Sequence, residues 1–284
     1  MQNLISFDGL ADVTNNLINK LSSAVGWIAT HDTPNRVAIE TYINDIQNSN
    51  FDPLTKATLI SNARKTIKEH RNNSEIVKIA LQALSPSANP NSVDDDWLAQ
   101  FMDKARLVSD QQFQILWGNI LAEECNMPGS IPKSLLHIME QIDRDMAETF
   151  VKIASVSVWY EYNGERIYVP ILIGETLDEY YKNLGIRYGD LVELQSVGLI
   201  EQNFGMAESS FAQIPNFSPI IVHYYNHEYT IPNNEQEFST GNVVFTGAGQ
   251  ALCSAITVEE VEGFFEERCI PFWEKEATKS AKNL

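Results

Sequence analysis

Residues 94–131, DDDWLAQFMDKARLVSDQQFQILWGNILAEECNMPGSI, constrain the fold more than any other stretch of the chain. Trp97, Leu98, Phe101, Met102 and Ala105 recur at helical spacing and form one apolar face. Asp95 or Asp96 is placed to cap that helix, since a carboxylate at this position accepts from the free N–H groups of the first turn. Ser109 and Gln112 form a capping-box signature for a second helix. There Phe113, Leu116, Trp117, Ile120 and Leu121 follow at i, i+3, i+4, i+7 and i+8 on a single stripe, and Pro128-Gly129 stops the chain. A structural helix pair accounts for this periodicity, and the stretch carries no obvious catalytic residue.

The chain has 284 residues, which predicts one large domain or two to three small ones. Its hydrophobic fraction of 44% is that of an ordinary globular protein. No run approaches the roughly 18 consecutive apolar residues of a membrane span. The first residues lack a basic region followed by an apolar core, so a cytoplasmic protein is expected. Cys125, Cys253 and Cys269 are too scattered for a disulfide framework, and no Cys-x-x-Cys pair is present for zinc. Net charge is −18, and its distribution is uneven. Residues 1–93 carry eight basic and eight acidic side chains, residues 94–160 five and eleven, and residues 161–284 seven and nineteen. An acidic surface repels phosphate backbones, so a nucleic-acid partner is disfavoured and would have to use the N-terminal third.

Along the chain, Leu10, Val13, Leu17, Leu21, Ala24 and Ile28 predict an N-terminal amphipathic helix. Its polar face has Asp8, Asp12 and only Lys20, which favours packing against the chain or a partner helix. Weak peripheral membrane association through this helix is the lesser expectation. Thr33-Pro34 and Asp52-Pro53 read as cap and first-turn pairs that open helices to about Gln47 and His70. The second of these carries Lys56, Arg64, Lys65, Lys68, His70 and Arg71, a basic cluster that is either a solvated face or a contact for an acidic or nucleic-acid partner. Asn73 or Ser74 is expected to start a further helix to Leu84, and the turn-rich Ser85–Val93 reads as a linker.

Past the central helix pair, Ser130 and Pro132 predict a helix through Ile142, and Asp143 caps another to about Val156. Asn163-Gly164 between Val156–Tyr162 and Arg166–Ile173 predicts a β-hairpin with a type I′ turn. Short helices are expected at Leu177–Asn183 and Tyr188–Val197, stopped by Gly185 and Gly198. Pro219–Ile231 reads as one strand, Asn242–Phe245 as another, and Thr246 caps a helix through Ala255. Val258–Arg268 is expected to form a last helix bearing Glu259, Glu260, Glu262, Glu266 and Glu267, with a frayed tail after Trp273.

Two resemblances follow from these residues. The stretch from Asp94 through SLLHIMEQIDRDMAETFVKIAS resembles the central pattern of the bacterial domain of unknown function 2806 family. The shared features are an acidic-Trp start, a Ser-Asp cap, a Trp-containing helix ending in Leu-Ala-x-Glu, and a Pro-Gly-Ser turn. This chain departs from the pattern at Asn119 and Asn126, where more strongly charged residues are expected, and the resemblance implies relatedness and no activity. The second is to the winged-helix fold: DLVELQSVGLI, then strands, then VVFTGAGQAL is similar in order to a recognition helix, a two-stranded wing and a closing helix. Such a recognition helix would present Asp190, Glu193 and Gln195, with only Lys182 and Arg187 nearby, which suits protein better than DNA.

Chemistry-bearing clusters are few. His223 and His227 lie on a predicted strand, where four residues span about 13 Å, too far to share one ion. Glu123, Glu124 and the run Asp94–Asp96 are explained by capping and solvation as well as by a divalent ion, and Cys125 beside acids is a poor nucleophile. No phosphate loop, nucleophile elbow or His-Glu-x-x-His motif occurs, so no catalytic, cofactor or metal residue is assigned. The expected fold is α+β, mainly α. A helical region at 1–93 and a central helical region at 94–157 precede a β-hairpin and winged-helix-like region at 158–284. The expected function is a non-catalytic protein-interaction or regulatory protein of a bacterial or phage multi-component system, with a protein partner or self-association. Candidate partner-binding residues are Phe264, Phe265, Phe272 and Trp273 beside the C-terminal glutamates, for which core packing is the competing explanation. The alternatives are a winged-helix nucleic-acid regulator using Lys56, Arg64, Lys65, Lys68 and Arg71, and an accessory or toxin component of phage defence.

Overall fold

Aspartate side chains start four of the helices: Asp52, Asp94, Asp110 and Asp143 each accept hydrogen bonds from backbone N–H groups in the first turn. The structure, a computed structural model, describes residues 7–27, 32–174, 179–202, 209–211, 219–232 and 238–275. It is a mainly helical α+β protein whose contacts divide it into two compact units, Met1–Leu136 and His137–Leu284.

The first unit is helical. α1 (Phe7–Val25) buries Val13, Leu17 and Leu21, the predicted apolar stripe. The predicted stripe's outer members Leu10 and Ile28, and Asp8, lie outside the described side chains, as do Thr33 and Pro34. α2 (Asp32–Asn48) leads through residues 49–52 into α3 (Pro53–Ala83). α3 is one helix of 31 residues, where a break after His70 is expected from sequence. The reason is that Asn72 and Asn73 do not cap their own backbone. Asn72 Nδ2 donates to the carbonyl of Arg106 at 2.8 Å and Asn73 Nδ2 to that of Met102 at 3.3 Å, closing the end of α4 (Asp95–Ala105) instead.

The cap of α4 is Asp94, not Asp95 or Asp96: its carboxylate accepts from Trp97 N at 2.8 Å, and the other two acids lie in the first turn. α5 (Gln111–Asn126) is likewise capped by Asp110, which accepts from Gln112 N and Phe113 N, in place of the expected Ser109. Trp97, Phe101 and Trp117 form an aromatic row with successive centroids 5.2 Å apart. The second half of α3 crosses α5 at Gly118, where an added Cβ would meet Ile79 Cγ2 at 2.6 Å and the carbonyl of Ile76 at 3.0 Å. Residues Ser85–Val93 stay within this unit. Ser85 N donates to Asn126 Oδ1, Asn89 N donates to the Cys125 carbonyl, and the 3-10 turn Pro90–Ser92 packs against α1. The helix expected from Ser130 to Ile142 is shorter, α6 (Lys133–Ile138), and a turn closed by Gln141 N on the Ile138 carbonyl precedes the next cap, Asp143.

The first complete helix of the second unit is α7 (Arg144–Ser155), which buries Phe150, Ile153 and Ala154. β1 (Ser157–Tyr162) and β2 (Glu165–Pro170) form the predicted hairpin, with Asn163 at φ 52° and Gly164 at φ 84° as a type I′ turn demands. α8 (Glu179–Asn183) and α9 (Tyr188–Ser196) end before Gly185 and Gly198, both at positive φ. Leu177, the expected start of α8, lies outside the described residues. Then come β3 (Ile200–Gln202), β4 (Ser209–Ser210), β5 (Ile220–Tyr224), β6 (His227–Ile231), β7 (Ser239–Gly241) and β8 (Val243–Phe245). Antiparallel pairing orders the main sheet β2-β1-β5-β6, and β3–β8 and β4–β7 form two further ladders.

The structure corrects two expectations. Pro219–Ile231 is a hairpin, not one strand: Tyr224 faces His227 across a turn that holds Tyr225 at φ 51°. Asn226 is the one turn-forming residue there, and with Tyr225 before it in place of Gly or Asn the sequence reads as continuous strand. The last segment is no helix from Val258 either. Gly263 adopts a left-handed φ of 72°, and only then does a π-helical turn, Phe264–Cys269, lead into α-helix over 270–275. Ahead of that segment, α10 (Gly247–Ala255) is capped by Thr246 as expected. Its Gln250 amide accepts from Tyr168 N at 2.8 Å and donates to Tyr168 O at 2.7 Å, occupying the outer edge of β2 as a neighbouring strand would.

Candidate interaction surface

The long helix α3 has two unlike halves. Its buried residues are Asn72, Ile76, Val77 and Ala80, all in the second half. None of residues 53–71 is buried, although Leu59, Ile60, Ala63 and Ile67 are half-buried; α2 packs against α3, Arg106 at the end of α4 pairs with Glu69 at 2.6 Å, and the His70 ring stands 6.2 Å from that of Trp27. Leu54, Ala57, Ser61, Arg64, Lys68 and Arg71 are all exposed and follow at alternate steps of three and four, which places them on one stripe that drifts through roughly 100° around the helix from Leu54 to Arg71. Among the described residues Arg64, Lys68 and Arg71 make no ion pair. Lys65, beside the stripe, stands 3.8 Å from Glu69. Lys56 is half-buried and donates to the Gln47 carbonyl at 2.8 Å, tying α3 to the end of α2. Of the five basic candidates, the structure therefore groups Arg64, Lys65, Lys68 and Arg71 on open surface and gives Lys56 a local partner.

The aromatic candidates sit elsewhere. Phe264, Phe265 and Trp273 are buried, and Phe272 is half-buried. Phe265 stacks on Tyr224 at 5.3 Å and 18°, and Trp273 Nε1 donates to the Ser239 carbonyl at 2.8 Å. Tyr224 in turn donates from its hydroxyl to Ser155 O at 2.9 Å and accepts from Val261 N at 3.0 Å. These contacts make the C-terminal segment part of the second unit's core, so the competing explanation of core packing accounts for Phe264, Phe265 and Trp273. Its glutamates remain outside: Glu259, Glu260, Glu262, Glu266 and Glu267 are exposed.

The histidines occupy separate strands. His223 stacks on Trp159 with centroids 4.1 Å apart and stands 3.2 Å from Glu228. His227 lies between Glu260 at 3.0 Å and Glu266 at 3.1 Å, one carboxylate at each ring nitrogen. Each ring thus has its own partners, and among the described residues no three His, Cys, Asp or Glu side chains converge for a metal ion. All three cysteines are buried. Burial, with Glu124 adding to it, pushes the Cys125 thiol up to about 12, and burial also raises Cys253 and Cys269 well above the ordinary thiol range. Neutral, enclosed thiols are poor nucleophiles.

Among the described residues Glu124 is the one acid enclosed in the first unit's core. It accepts from Gly129 N at 2.7 Å and Ile131 N at 2.9 Å, while Trp97 Nε1 donates to the Ile131 carbonyl at 2.9 Å. The carboxylate thereby folds the Pro128-Gly129 turn back over α5, and desolvation raises its pKa above the usual glutamate value. Asn126, a departure from the expected pattern, bonds Ser85 N and the Ala83 carbonyl.

A family model described as a protein of unknown function (DUF2806) matches residues 61–267, most of the chain. The chain belongs to this family. No curated protein and no solved structure matches it. The matched span exceeds the stretch recognisable in the sequence, which ends near Ser155, and reaches from the first half of α3 to the π-helical turn. Within it, Trp97, Trp117 and Glu124, the residues that make the DUF2806 pattern recognisable, are all packing or turn-closing groups. Arg64, Lys65, Lys68 and Arg71 fall inside the DUF2806 match, and Leu54 falls before it.

The second unit supplies one further exposed helix face. α9 carries exposed Tyr188 and Val192, with Glu193 beside them, and Arg187 N donates to Asp190 at its start. Among the described residues no helix is long and apolar enough to cross a membrane.

Proposed function

We propose that this DUF2806 chain is a non-catalytic interaction protein that works by docking a protein partner. The observation that carries this reading is the first half of α3. About five turns of helix precede Asn72, the first buried residue of α3, and contribute no buried residue themselves. Helices in globular proteins draw most of their stability from packing an apolar face, so an extension of this kind contributes contact surface, not core. Its cations add to the point: Arg64 and Lys68 at i, i+4, and Lys68 and Arg71 at i, i+3, repel one another along the helix.

The finer expectation of a winged-helix-like region belongs to this proposal. In its support, α8 and α9 are followed by β3, which pairs antiparallel with β8, and α10 comes next. The outward face of α9 offers Tyr188, Val192 and Glu193, whereas reading a DNA groove uses Arg and Lys. A protein partner suits that face.

The experiment is purification of the tagged chain from its host under native conditions, with mass measurement of what accompanies it. A discrete partner, or a mass above one chain, is the expected result. A strictly monomeric chain that brings no partner from the host lysate overturns the proposal. The nucleic-acid reading is favoured only by the same four exposed cations, and absence of salt-sensitive binding to generic duplex DNA at low salt removes it.

A further inference from the structure

We infer that the stripe of α3 from Leu54 to Arg71 docks an acidic, amphipathic protein helix, with Arg64, Lys68 and Arg71 facing its carboxylates and Leu54 its apolar end. The inference rests on the interaction reading above and names the chemistry of the partner.

Geometry sets the first requirement. With a rise of about 1.5 Å per residue, Lys68 lies roughly 6 Å beyond Arg64, and Arg71 roughly 4.5 Å beyond Lys68. A partner helix with acids at i, i+4 and i+7 repeats that spacing, so each cation meets one carboxylate. Leu54 lies roughly 21 Å along the axis from Lys68 and about 40° around it, on the same stripe. It is 76% exposed, the largest exposure among the described large hydrophobic residues. Between the anchor and the cations the stripe holds only Ala57 and Ser61, both small and exposed, which let a second helix backbone come close. Of the half-buried residues, Ala63 lies on the far side of the helix, and Ile60 and Ile67 border the stripe along its Arg71 edge.

Charge sets the second requirement. The chain carries 38 acidic against 20 basic residues. A duplex, with about one phosphate per 1.7 Å, is disfavoured by that net negative charge and leaves Leu54 without a partner. A short acidic helix presents its charge only where the cations are. Complementarity of this kind sets register and association rate more than raw affinity.

The test uses the full chain and a short labelled helical peptide with glutamates at i, i+4 and i+7 and a leucine at the matching end, read by fluorescence anisotropy. Binding is expected to weaken roughly tenfold in the Arg64→Glu/Lys68→Glu/Arg71→Glu variant, about 1.4 kcal/mol, and to fall with added salt. A lysine version of the peptide is expected to bind that variant in preference to the native chain. Leu54→Ser is expected to weaken binding severalfold without changing the salt dependence. Peptide affinity unchanged by charge reversal, no preference of the lysine peptide for the reversed chain, or tighter binding of a short duplex than of the peptide each overturn the inference. A host partner that is insensitive to charge reversal on α3 but lost in Val192→Glu also overturns it, while leaving the interaction reading in place.

Discussion

The basic stretch of α3 and the acidic C-terminal segment look alike in sequence, since each mixes a charge run with large apolar side chains, yet the fold treats them oppositely. In the C-terminal segment the aromatics go inside: Phe264, Phe265 and Trp273 are buried and the glutamates stay out. In residues 53–71 nothing is buried, and the charges stand with an exposed leucine on the same stripe. The difference teaches that a charge run beside aromatics does not identify a surface; the partners of those aromatics do. Tyr224, Tyr229 and Phe211 surround the C-terminal ring cluster, whereas no residue of the first half of α3 is buried.

The largest expected effect tests the buried side of that contrast. Trp273→Ala removes a fully buried ring and the hydrogen bond to Ser239 O, and is expected to cost about 3–5 kcal/mol in denaturant unfolding. A fully stable Trp273→Ala chain that has lost a partner would break the comparison, because the ring would then serve an interface. Gly118→Val is next. The α3–α5 crossing leaves no room for a Cβ near Ile79, so a loss of about 1–3 kcal/mol is expected, read as a lower denaturation midpoint with unchanged slope.

Glu124 tests how the family signature works. Glu124→Ala leaves Gly129 N and Ile131 N without their acceptor, which is expected to cost about 1–3 kcal/mol. The pH dependence has a definite sign. Desolvation raises the folded-state pKa of Glu124, so the protonated form is relatively favoured in the native state. This contribution is full below the unfolded value near 4.5 and is lost as pH rises through the higher folded value. Relative to Glu124→Gln, which does not titrate, the native chain should therefore lose stability over that interval. Parallel thermal melts from about pH 4 to about pH 8 check it, and a native chain that gains on the variant over the same range contradicts the assignment.

These residues also show what is legible in a sequence. The helix pair of the first unit is readable because Trp97, Phe101, Trp117, Ile120 and Leu121 keep helical period over many turns, and burial follows the period. Its caps, Asp94 and Asp110, stand one or two residues from where the sequence puts them, since adjacent acids and serines are chemically equivalent as caps until the backbone chooses. Asn163-Gly164 announces its hairpin through residues that tolerate positive φ. Tyr225 does not, because a tyrosine at φ 51° is held by surroundings such as the 4.8 Å contact with Tyr224 and not by its own preference. Asn72 and Asn73 mislead for a related reason: their amides bond a helix end more than 28 residues away, which no local pattern records. The exposed cations of α3 can be located by charge alone, but that Leu54, Ala57 and Ser61 share their stripe follows only once α3 is known to run unbroken from Pro53.

The smallest expected effect has the opposite sign and so sharpens the contrast most. Replacing Arg64, Lys68 and Arg71 by alanine removes the like-charge pairs Arg64–Lys68 and Lys68–Arg71 from one helix face, each unfavourable by about 0.2–0.5 kcal/mol. Alanine is also the best helix former, and the positions are exposed, with no ion pair to lose among the described residues. The triple variant should therefore be slightly more stable than the native chain at low salt, by roughly 0.5–1 kcal/mol, and the gain should shrink as salt screens the repulsion. Equilibrium unfolding at two ionic strengths measures it. A triple variant that is less stable at both would mean the cations hold the fold together, and the first half of α3 would then lose its claim to be a surface kept for contact.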